Sequence, residues 1–138
     1  MKSMRLGLVL TMILIGLSGC SGKPVDNLND SIAEYKQCLI NNDFKCQVEF
    51  LDKVAMEEMT GMKVDEDALV KELKSSGVKM TNVEMNKPST IVENGKTLSS
   101  TITFSAIMEM QGQKIKHNAS LKAISRDNGS TWFFTQDY

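Results

Sequence analysis

The chain has 138 residues and a formal charge of −1, which suits one domain with one core and is too short for two. Charged residues make up 24% of it and are interspersed by sign, so no run of lysine or arginine builds the stripe that nucleic acid requires. Nucleic acid is not an expected partner.

The first 19 residues read as an export segment. Lys2 and Arg5 form a positive start, and Leu6 to Leu17 is an apolar run broken only by Gly7, Thr11 and Gly16. It is too short to span a membrane comfortably, and it ends in small residues of the cleavage type. Cys20 stands directly after Leu17-Ser18-Gly19, a pattern that resembles the lipobox of bacterial lipoproteins. The resemblance implies a diacylglyceryl group on the Cys20 thiol, removal of residues 1–19, and acylation of the new amine. Several acyl chains on one residue anchor far more durably than one. An ordinary secreted protein with a chance cysteine is the alternative. Losing Lys2 and Arg5 leaves 14 basic against 17 acidic side chains, a mature charge of −3. Ser21 is not the aspartate that tends to retain such proteins in the inner membrane. The expected address is therefore the outer membrane, facing the periplasm. Residues 20–29 are polar, with Gly22 and Pro24, and read as a lipidated tether ahead of a domain over 30–138.

Leu28, Ile32, Tyr35 and Leu39 recur at spacings of four, three and four, the apolar stripe of a helix. Asn41-Asn42-Asp43 ends it. Cys38 and Cys46 flank this corner in a compartment that permits disulfides, so a structural Cys38–Cys46 bridge is expected. Two buried free thiols are the main rival. A redox couple lacks the Cys-x-x-Cys spacing, and two cysteines with only His117 to help make a poor zinc site. Phe50, Leu51, Val54, Ala55 and Met59 give a second helical stripe, which Gly61 ends. A third helix fits Glu66 to Ser75, with Asp65 as N-cap and Gly77 closing it.

From Val78 the period changes from helical to alternating. Val78 to Met85 and Thr90 to Val92 read as strands with Pro88 between them. Thr97 to Met110 is the clearest strand, with Ile102, Phe104, Ala106, Met108 and Met110 on one face. Gln111-Gly112-Gln113 is a hairpin turn, and Lys114 to Ser125 alternates again, with Ile115, His117, Ala119, Leu121 and Ala123 in the apolar phase. Asp127-Asn128-Gly129 makes the next turn before a last strand over Thr131 to Thr135. Helices first and hairpins after predict an α+β fold, its N-terminal helices packed on a curved antiparallel sheet of about four strands. Hairpin linkage predicts that strand neighbours follow chain order.

This order resembles the NTF2-like, cystatin-like superfamily, in which a curved sheet wraps the helices into a cone. The likeness is best at Glu34-Tyr35-Lys36-Gln37-Cys38-Leu39-Ile40-Asn41-Asn42-Asp43-Phe44, where a first helix ends at an Asn-Asp-aromatic corner. It is good again at Asp127-Asn128-Gly129-Ser130-Thr131-Trp132-Phe133-Phe134, the closing hairpin and its tryptophan strand. Small bacterial lipoproteins carrying a domain of this type are similar along most of residues 27–138. The resemblance implies a pocket inside the cone, with His117, Phe104, Met108 and Trp132 as candidate lining.

His117, the only histidine, sits in the apolar phase of its strand, where it reads as a rim or core residue or as a base. Enzymes of this superfamily use Asp/His or Asp/Tyr pairs, and no such pair maps here. Met56-x-x-Met59-x-x-Met62 carries thioethers at a spacing that brings sulfurs together on one helix, which suits copper(I). A core or lining role is the plainer reading of methionine. The acidic clusters lack the spacing of a calcium loop, and there is no phosphate loop, nucleophile elbow or metalloprotease motif. The expectation is a lipid-anchored periplasmic module, not an enzyme and without cofactor or metal, that holds a small apolar ligand or a partner protein. An isomerase or dehydratase using His117 comes second, and copper(I) handling through Met56, Met59 and Met62 third.

Overall fold

The computed structural model describes residues 23–136; the export segment 1–19 and Cys20 lie outside the described residues. Helix α1 (Pro24–Ile40) opens on a proline, whose missing N–H is one that a first turn leaves unpaired anyway. Its stripe of Leu28, Ile32, Tyr35 and Leu39 is buried. Residues 24–29, expected in the tether, are instead the opening turns of this helix, because Leu28 is fully buried in the core. The Asn27 side chain donates to the Gly129 carbonyl at 2.9 Å and pins the helix start to a distant turn.

The corner after α1 is held from three sides. Cys38 and Cys46 form the expected disulfide, with Cα atoms 5.6 Å apart. Asp43 caps α2 (Phe44–Phe50) by accepting from the Cys46 N–H. The Asn42 side chain accepts from the Met80 N–H at 3.1 Å, which ties the corner to the sheet.

The single second helix expected up to Gly61 is two helices, α2 and α3 (Lys53–Thr60). The break falls at Leu51 and Asp52. Leu51 forms a parallel bridge with Phe134, and the Asp52 N–H donates to the Phe134 carbonyl at 2.9 Å. The buried Asp52 carboxylate caps α3 through the Ala55 N–H and takes both guanidinium arms of Arg126, at 2.9 and 3.0 Å. A fully hydrogen-bonded buried carboxylate outweighs one more turn of helix. Helix α4 (Glu66–Ser76) runs from the Asp65 cap to Gly77 as its local signals predict.

The sheet has strands β1 (Lys79–Met85), β2 (Val92–Asn94), β3 (Thr97–Met110), β4 (Gln113–Ser125) and β5 (Phe133–Gln136). The fold is α+β, with the helices packed on a curved antiparallel sheet that does not close. Two expected short strands are shifted: Thr90 to Val92 becomes Val92–Asn94, and Thr131 to Thr135 becomes Phe133–Gln136. Neighbours do not follow chain order, because the path is β1-β3-β4-β5 and β2 also pairs with β3. With β4 along one side of β3, β1 takes Phe104 to Glu109 and β2 takes Thr97 to Ser99 on the other. The link through Pro88 stays beside β3, with the Asn86 and Ser89 N–H groups donating to Thr103 and Thr101 carbonyls. In β1 an extra residue between Thr81 and Glu84 makes a bulge at Asn82, whose φ is 50°, and Val83 goes into the core.

Candidate functional site

A cavity of about 250 Å³ lies between the C-terminal half of α1 and the half of the sheet nearest the β3–β4 turn. Its walls are apolar: Leu39 and Tyr35 from α1, Leu51 from the α2–α3 break, Met80 from β1, Phe104 and Met108 from β3, Ala119 and Leu121 from β4, and Phe134 from β5. His117, Thr135 and Gln136 supply polar edges. The alternation of β3 and β4 explains the sheet side of this lining. Register pairs Phe104 with Ala119, Ala106 with His117 and Met108 with Ile115, so the apolar-phase residues of both strands share the helix-facing side.

Three of the four lining residues expected from the sequence, His117, Phe104 and Met108, meet here. The His117 ring lies edge-on to Phe104, with centroids 6.2 Å apart, and no side chain among the described residues hydrogen-bonds it. Trp132 does not join them. It stands just before β5 and is 1% exposed, part of the core but lining a separate depression with Gln37, Cys38, Cys46 and Phe50. Its indole N–H has no partner among the described residues. Phe134, two residues on, faces the cavity instead.

Tyr35 is one lining residue that the sequence pattern does not single out, since its spacing explains it as one more member of a buried stripe. Its ring packs on Phe134 and Phe50, with centroids 5.0 and 5.6 Å away. Its hydroxyl has no hydrogen-bond partner among the described residues. Burial pushes the phenol up to about 12, because the interior disfavours the phenolate. At neutral pH Tyr35 is therefore a hydrogen-bond donor and not a base. A polar tip on a buried stripe was the one signal available in the sequence.

The methionine cluster is dispersed. Gly61, at φ 70°, ends α3 before Met62, so the three do not continue on one helix face. Met56 and Met62 line a shallow groove with Leu69, whereas Met59 is 78% exposed and outside it. Among the described residues no group of three or more His, Cys, Asp or Glu is placed to hold a metal ion. No helix among them is long and apolar enough to cross a membrane.

No protein-family model matches the sequence, and no curated protein matches it significantly.

Proposed function

We propose that the chain is a lipid-anchored envelope protein whose domain holds a small, mostly apolar ligand in the cavity between α1 and the sheet. The observation that carries this reading is the composition of the cavity wall: mostly aliphatic and aromatic side chains, with the polar groups of Tyr35, His117, Thr135 and Gln136 among them. Such a wall favours transfer of an apolar body out of water and selects one hydrogen-bonding group on it. At about 250 Å³ the space lies below the roughly 300–1,000 Å³ of drug-sized sites. The ligand is correspondingly small. The lipobox resemblance at Cys20 and the NTF2-like resemblance support the anchor and the cone-shaped site.

The test is a thermal-shift series with fatty alcohols of increasing chain length. A saturable upward shift is expected for a short member, lost in Ala119→Leu, which fills the cavity. No saturable shift with any member would remove the reading. For the anchor, the mature protein's mass should carry acyl chains, and Cys20→Ser should leave the membrane fraction.

A second reading, an enzyme of the isomerase or dehydratase kind, is favoured by one observation: Tyr35 shares the cavity with His117. It would make His117 the base and the protonated Tyr35 the donor. His117→Gln separates the two, abolishing turnover under the enzyme reading and weakening ligand binding only modestly under the first.

A further inference from the structure

Strand β4 is far longer than its outer neighbour. On the β3 side it is paired from Gln113 to Ser125, whereas β5 covers only Leu121 to Ile124. Among the described residues no strand pairs with the outer side of Gln113 to Ser120. A strand edge leaves alternate N–H and C=O groups pointing outward and is a template for another extended chain.

The side chains along this edge are of two kinds. Lys114, Lys116 and Asn118 are exposed and alternate onto the face away from the helices. Ile115 (56% exposed), the half-buried His117 and Ala119 alternate onto the other face, where His117 and Ala119 reach the cavity. Neither Lys114 nor Lys116 is in an ion pair among the described residues. Glu109 is opposite Lys114 in the β3 register, but Lys116 faces Ile107. Outer-face lysines discourage two copies of this edge from joining, because antiparallel self-pairing sets lysine beside lysine. The same lysines favour a strand whose outward side chains are carboxylates.

We propose that the outer edge of β4, residues 114–118, is a docking surface for an extended acidic segment of another protein. The segment adds a strand, places carboxylates against Lys114 and Lys116, and turns its apolar side chains towards Ile115 and His117. This inference stands on the sheet edge and its charge, and does not need the cavity to hold a ligand.

The test uses the full chain and a capped peptide alternating glutamate and valine over about eight residues. Binding should slow amide hydrogen exchange at residues 114–118. A fully N-methylated peptide should not bind, because it cannot donate to the edge. Replacing its glutamates by lysines should weaken binding about tenfold. The double variant Lys114→Glu/Lys116→Glu, at exposed positions outside the core, should reverse that preference. Equal binding of the N-methylated peptide, or no slowing at 114–118, overturns the proposal. Protection that grows with protein concentration in the absence of peptide overturns it in favour of a second copy.

Discussion

Tyr35 and Gly129 show how far single positions are committed. The Tyr35 phenol is raised by burial from 10.0 to about 12, so the folded chain binds that proton more tightly than the unfolded chain does. Its contribution is complete below pH 10 and is lost as pH rises through the interval up to 12. The melting temperature of the parent should therefore fall more steeply across that interval than that of Tyr35→Phe. Parallel curves would contradict the assignment. At neutral pH Tyr35→Phe should cost less than about 1 kcal/mol, because the hydroxyl gives up no internal hydrogen bond. Gly129 has φ +89°, and a Cβ there would stand 2.5 Å from the Pro24 Cβ and 3.0 Å from its Cα. The turn around it is fixed. The Gly129 N–H donates to the Ser125 hydroxyl, which donates to Asp127. Burial alone would raise the Asp127 carboxyl, but hydrogen bonds from Thr131 and Ser125 outweigh it and hold the group below its usual range. With the turn unable to yield, Gly129→Ala should cost about 2–4 kcal/mol in chemical denaturation, from overpacking and left-handed strain together. Gly112→Ala is the control. It has φ +79° but open space for the methyl, so only the strain of about 1–2 kcal/mol applies.

Between elements, the break separating α2 from α3 is organised from the far end of the chain. Arg126 is 74 residues from Asp52 in sequence, yet its guanidinium is the counter-charge that lets that carboxylate be buried. Arg126→Met keeps the stem's packing but leaves Asp52 inside with only its capping bond, an expected loss of about 2–3 kcal/mol. Asp52→Ala/Arg126→Met should cost clearly less than the sum of the single changes, since the second removes a charge already without a partner. Additive values would mean that the pair is not coupled. This long-range dependence explains what a sequence reading sees and what it misses. The α1 stripe, the α4 caps Asp65 and Gly77, and the alternation of β3 and β4 are written within a few residues of where they act. The helix break at Asp52 and the pairing of β1 with β3 are set by residues that only the folded chain brings near. The cavity divides the same way. His117, Phe104 and Met108 follow from strand phase, but Tyr35, Leu51 and Gln136 reach it from three separate elements. Trp132 stays out of the cavity because the last strand starts one residue after it, which leaves Phe134 as the aromatic facing the cavity.

At the scale of the whole molecule, α1 is a spacer with a definite direction. Its first turn is fixed to the β4–β5 turn by the Asn27–Gly129 bond, and Leu39, near its last turn, lines the cavity. A helix of 17 residues is about 25 Å long. The cavity and the exposed part of β4 therefore lie at the end of the domain opposite Pro24. If Cys20 carries the proposed lipid, only Ser21, Gly22 and Lys23 separate it from α1, a reach of at most about 14 Å. The β4–β5 turn would then lie near the bilayer, with the cavity at the far end of the domain. With the acylated protein on vesicles, a fluorophore at Lys23 should be quenched by lipid-borne quenchers, whereas one at Gln111, in the β3–β4 turn, should be unaffected. Quenching at Gln111 as strong as at Lys23 would mean that the domain lies on its side, bringing the cavity mouth within reach of the membrane surface.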